Sequence, residues 1–119
     1  MGYQEISIGA LERGVRTLAK SLEKDGLKSV VRAQRNGRGS QDVGPSYVEL
    51  EVTAVFDKDG KERTSTAEVK FLAGGYETSS RYEISSTDGW RAMAAEGRER
   101  IYKQLESDGW KRPAHHWKP

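Results

Sequence analysis

Tyr47-Val48-Glu49-Leu50-Glu51-Val52-Thr53-Ala54-Val55-Phe56-Asp57 is the stretch on which the fold turns. Val48, Leu50, Val52, Ala54 and Phe56 alternate with Tyr47, Glu49, Glu51, Thr53 and Val55. A period of two is that of a strand with one face buried and the other in water. Asp57-Lys58-Asp59-Gly60 follows as a hairpin turn, with Gly60 suited to a positive φ. The chain then returns over residues 62–73, with Ala67, Val69, Phe71 and Ala73 on one face and Thr64, Thr66, Glu68 and Lys70 on the other.

Such a hairpin has one apolar face, and something must cover it. Two helical stripes flank it. Over residues 7–25, Ile8, Leu11, Val15, Leu18 and Leu22 recur at steps of three and four, with Ser7 as N-cap and Gly26 as terminating glycine. Gly9 and Gly14 weaken this helix unless they admit a neighbouring element. Over residues 88–108, Trp90, Met93, Ala94, Gly97, Ile101 and Leu105 form a second stripe, with Ser86 or Thr87 as cap. Ala94 and Gly97 point to close packing on the sheet.

Two further strands complete the pattern. Residues 28–34 carry Val30 and Val31 as their apolar contribution. Residues 76–85 follow a turn at Gly74-Gly75 and carry Tyr76, Tyr82 and Ile84 inward. The expectation is an α+β two-layer sandwich. Its four-stranded antiparallel sheet is covered on one face by an N-terminal and a C-terminal helix. The open face, with Glu49, Glu51, Glu68, Glu77 and Glu83 against Arg63, Lys70 and Arg81, reads as mildly acidic. The order predicts one domain over residues 1–110 and a basic aromatic tail over 111–119.

The helix ends echo one another. Leu22-Glu23-Lys24-Asp25-Gly26-Leu27-Lys28 matches Leu105-Glu106-Ser107-Asp108-Gly109-Trp110-Lys111. Shared capping chemistry accounts for this: a left-handed glycine, then an apolar residue that folds back on the leucine. Gly26, Gly60 and Gly109 are therefore expected at positive φ.

Composition bounds the function. The chain has 119 residues and no cysteine, which removes disulfides, thiolate metal sites and cysteine nucleophiles. Its two histidines, His115 and His116, are adjacent, and in an extended segment they point to opposite sides, a poor chelate. The Gly-rich run Asn36-Gly37-Arg38-Gly39-Ser40 leads to Gly44-Pro45 and a strand, not to the helix that phosphate loops require. No catalytic, metal or cofactor signature is read, and the expectation is a non-enzymatic binding protein. Apolar stretches are too short to cross a bilayer and the start lacks the pattern of a signal peptide, so no membrane partner and a cytoplasmic location are expected.

Charge is segregated. Residues 27–41 contribute +4 from Lys28, Arg32, Arg35 and Arg38, and residues 109–119 contribute +3 from Lys111, Arg112 and Lys118; the chain total of +2 leaves −5 elsewhere. Arginine forks suit phosphates and carboxylates, and aromatic rings stack on unpaired bases. The expected binding residues are Lys28, Arg32, Arg35, Arg38, Lys111, Arg112, Trp110 and Trp117, contacting nucleic acid or an acidic protein surface. The alternative is a protein-binding adaptor or inhibitor acting through a sheet edge, the acidic face or the arginine loop. The sequence does not specify an oligomeric state.

Overall fold

The computed structural model of the chain describes residues 7–35, 46–73, 82–85 and 89–113. The order is α1 (Ile8–Glu23), β1 (Lys28–Gln34), β2 (Tyr47–Lys58), β3 (Lys61–Leu72), β4 (Glu83–Ile84) and α2 (Trp90–Ser107). The four strands form one sheet in chain order. Both helices lie on the same face, α1 over β1 and β2, and α2 over β3 and β4. The α+β sandwich read from the sequence is the fold.

Alternation along β2 decides which face is buried. Val48, Leu50 and Val52 are fully buried, and they meet Phe71, Val69 and Ala67 across the β2–β3 ladder. Leu11, Val15, Leu18 and Leu22 come down from α1, and Met93, Ile101, Tyr102 and Leu105 from α2. Phe56 and Trp90 pack partly buried at its margin. The β2–β3 turn places Asp59 at φ 56° and Gly60 at φ 78°, the two left-handed residues that match the twist of a two-residue hairpin.

Both helices end as the echo predicts. Leu27 N–H donates to Leu22 O and Gly26 N–H to Glu23 O; Trp110 N–H donates to Leu105 O and Gly109 N–H to Glu106 O. Gly26 and Gly109 stand at φ 81° and 108°. These are paired Schellman turns. The helices run side by side in the same direction, because Arg98 donates to Ser21 Oγ and, one turn later on each helix, Tyr102 donates to Asp25 Oδ2. Two glycines admit close neighbours: a Cβ on Gly14 would lie 2.5 Å from Trp90 Cε2, and one on Gly97 would lie 2.7 Å from Phe71 Cε1. Among the described residues a Cβ on Gly9 would meet only the Arg13 side chain, at 3.7 Å.

Several expectations are corrected. The sheet is mixed, because β4 runs parallel to β3, with Lys70 opposite Glu83 and Phe71 opposite Ile84. An antiparallel hairpin would need one index to fall as the other rises. Ile84 anchors β4 in the core, Arg100 Nη1 holds the Glu83 carbonyl at 2.8 Å, and Gln104 already occupies the backbone of Glu68, so pairing stops after two residues. The expected Gly74-Gly75 turn, and the part of the fourth strand over residues 76–81, lie outside the described residues. In α2 the N-cap is Gly89 at φ 98°, without a side-chain cap bond, whereas Ser7 Oγ caps α1 by accepting from Ala10 N–H. Val30 faces outward and is 46% exposed; of the valine pair only Val31 packs on the core. Arg63 shares the parity of Ser65 and Ala67 and so belongs to the helix-bearing side, exposed where the hairpin outruns the core.

Candidate functional site

The basic residues singled out from sequence separate into three groups. Lys28 and Arg32 stand on the outer face of β1, and Arg35 lies just beyond its end. Arg32 pairs with Glu49 at 3.6 Å and Arg35 with Glu12 at 3.1 Å, and both arginine side chains remain 57% exposed. Arg16 and then Arg35 hold Glu12 below the usual carboxylate range. Arg38 and Trp117 lie outside the described residues. Lys111 is exposed.

Arg112 and Trp110 form the third group, and their work is internal. Arg112 donates to both carboxylate oxygens of Glu99, at 3.0 and 3.1 Å, and to both of Glu106, at 2.8 Å. Its guanidinium also lies 4.6 Å from the ring centre of Tyr102. Hydrogen bonds from Arg112 pull Glu99 and Glu106 below the ordinary carboxylate range. Trp110 is only 7% exposed and stacks on Tyr102 with 5.5 Å between ring centres. The chain turns back along α2 after Gly109, so Trp110 closes the core and Arg112 is held against α2.

On the open sheet face Glu49, Glu51 and Glu68 converge, with carboxylate oxygens within 4.8 Å of one another. Register requires this, because Glu51 stands directly opposite Glu68. Arg32 and Lys70 flank the cluster on either side of Glu49. Lys70 also lies 4.9 Å over the ring of Tyr47. Three acids and two bases make a solvated polar face.

A different surface emerges at the far edge of the sheet. Gln104 reaches from α2 and presents its carboxamide to Glu68 as a strand would, Oε1 accepting from Glu68 N–H at 3.1 Å and Nε2 donating to Glu68 O at 3.0 Å. Lys70 N–H donates outward to Tyr82 O at 2.7 Å. Backbone groups of alternate residues in a strand point to the same edge. Those of Glu62, Thr64 and Thr66 therefore face away from β2 as well, and among the described residues nothing pairs with them. Beside this edge lies a groove of about 580 Å³, lined by Thr66 and Tyr82 on the sheet side and Arg100, Lys103, Gln104, Ser107 and Asp108 from α2.

Most groups in the groove are committed. Arg100 bonds Glu96 and the Glu83 carbonyl, Ser107 bonds Gln104 O, and Asp108 accepts from the Ser65 hydroxyl. Ser65 is buried, and Asp108 is its partner. The sequence reading names a sheet edge as a binding element without singling out β3. A signal was present: Glu62-Arg63-Thr64-Ser65-Thr66 opens the strand before its apolar positions begin. Strand without core marks an edge that projects past its cover.

No protein-family model, curated protein or solved structure matches the chain.

Proposed function

We propose that this protein is a non-enzymatic binding module that takes an extended segment of a partner protein onto the edge of β3. The observation that carries this reading is the run of outward backbone groups at Glu62, Thr64 and Thr66, continued by the carboxamide of Gln104 on Glu68. A planar amide already docks there, in the geometry that an added strand would use. Main-chain hydrogen bonds supply affinity in strand addition, and adjoining pockets read alternate side chains. The groove beside α2 is placed to be such a pocket.

The test is a peptide-display selection against the folded protein, followed by amide hydrogen exchange. Selected peptides should protect the amides of Thr64 and Thr66 and should lose at least ten-fold in affinity for Thr64→Pro. Proline removes the outward N–H and is tolerated at a strand edge. Peptides that bind Thr64→Pro equally, or a selection that yields none, would overturn the reading.

A second reading keeps nucleic acid as the ligand, approached by Lys28, Arg32 and Arg35, with Arg38 three positions further along the chain. It is favoured by the exposure that Arg32 and Arg35 retain despite their carboxylate partners. Its measurement is binding to short DNA and RNA across a salt series. Four phosphate contacts give a log–log slope of about −3.6 on duplex DNA. A slope indifferent to replacement of Arg32, Arg35 and Arg38 by alanine would defeat it.

A further inference from the structure

We infer that the segment taken by the β3 edge is acidic, with an aspartate or glutamate side chain directed at Lys103; this rests on the strand-addition reading above. A strand laid against Glu62, Thr64 and Thr66 sends alternate side chains to opposite sides of the sheet. One set faces the open, polar side. The other set enters the groove under α2.

Charge in that groove selects what enters. Its lining carries two cations, Arg100 and Lys103, and one carboxylate, Asp108. Asp108 already accepts from buried Ser65, and Arg100 is held by Glu96 and the Glu83 carbonyl. Lys103 is exposed and makes no hydrogen bond or ion pair with a described residue. The nearest acids on its own helix, Glu99 and Glu106, feel the Lys103 charge but are gripped on both oxygens by Arg112, so neither is bonded to the ammonium. Lys103 is thus the cation in the groove that an incoming carboxylate can take without breaking an internal hydrogen bond. Its ammonium is a mobile point charge on a long stem, suited to a side chain whose register along the edge is set by the backbone.

The probe is a fluorescein-labelled ten-residue peptide of alternating threonine, valine and serine with one central glutamate. It is compared with twins carrying central glutamine and central lysine. Anisotropy titrations are run with the wild-type protein, Lys103→Gln, Lys103→Glu and Thr64→Pro. The glutamate peptide should bind wild type about three-fold tighter than the glutamine twin. Lys103→Gln should erase that preference, and Lys103→Glu should transfer it to the lysine twin. Circular dichroism melts should show each variant folded, since Lys103 is exposed. Equal binding of the twins to wild type, with loss in Thr64→Pro, would overturn the acidic partner and leave strand addition standing. Binding of none of the peptides to wild type would overturn both.

Discussion

Tyr102 donates its hydroxyl to Asp25 Oδ2 at 2.5 Å, joining the turn that follows α1 to the C-terminal half of α2 across 77 positions of sequence. Asp25 occupies the same place in its helix-ending motif as Asp108 does in the other, and Asp108 accepts from Ser65. Each aspartate of the echo thus receives a hydroxyl from a distant element. The capping glycines set the turns, and the aspartates then tie those turns into the fold.

Tyr102→Phe removes one partner of a charge-assisted bond and should cost about 1.5–3 kcal/mol. The same change in an Asp25→Ala background should cost much less, because the acceptor is gone. Denaturant melts of the four proteins in this cycle give the coupling directly. Independent, additive losses would show that the bond contributes nothing.

Gly97→Ala should destabilise by about 1–3 kcal/mol, because the new methyl group meets the ring of Phe71, a fully buried side chain. Gly9→Ala provides the contrast. Its Cβ would lie 3.7 Å from the flexible end of Arg13, and it should gain up to about 1 kcal/mol in helix propensity. Thermal melts of the two variants should move in opposite directions.

Leu50→Ala, at the centre of β2 and fully buried, should cost about 2–5 kcal/mol from lost burial and the cavity that remains. Glu68→Gln should do the reverse on the other face. It removes one of two like charges standing opposite each other, and a gain of about 0.5 kcal/mol is expected. Urea denaturation at neutral pH measures both.

Arg112 sets an acid limb of stability. Glu99 and Glu106 titrate below their ordinary value in the folded chain, so their ion pairs contribute fully above the unfolded range and are lost as pH falls from about 4.5 through the lowered folded values. Both carboxylates are more than a third exposed, 47% and 35%, and water screens them, so the pair should be worth about 1 kcal/mol in total. Arg112→Ala should flatten the stability profile below that pH and lower the plateau above it. A melting-temperature series from pH 2 to 7 decides; parallel curves for the two proteins would refute the assignment.

The elements whose identity rests on short-range chemistry were legible in the chain itself. Alternation from Val48 to Phe56 specifies β2 and its buried face, because a one-residue slip would bury Glu49 and Glu51. Asp59-Gly60 specifies the turn, Ser7 the start of α1, and the two glycines the helix ends, since each effect lies within a few residues. Glu49, Glu51 and Glu68 could be placed on one face by counting in twos, and they converge.

Tertiary structure decided the rest. The direction of β4 depends on where Ile84 finds the core and on Arg100 reaching Glu83, neither of which leaves a periodic trace. Arg112 and Trp110 read as a basic, aromatic tail because composition records charge and ring but not the partner, and the partners Glu99, Glu106 and Tyr102 come only once the chain turns back along α2. The proposed binding edge is legible as polar strand in Glu62 to Thr66, but that its backbone faces outward beside Gln104 and Lys103 follows from ladder register and helix placement together. Local periodicity determines what each segment is. Which groups remain free to meet a partner is settled when long-range packing consumes the others.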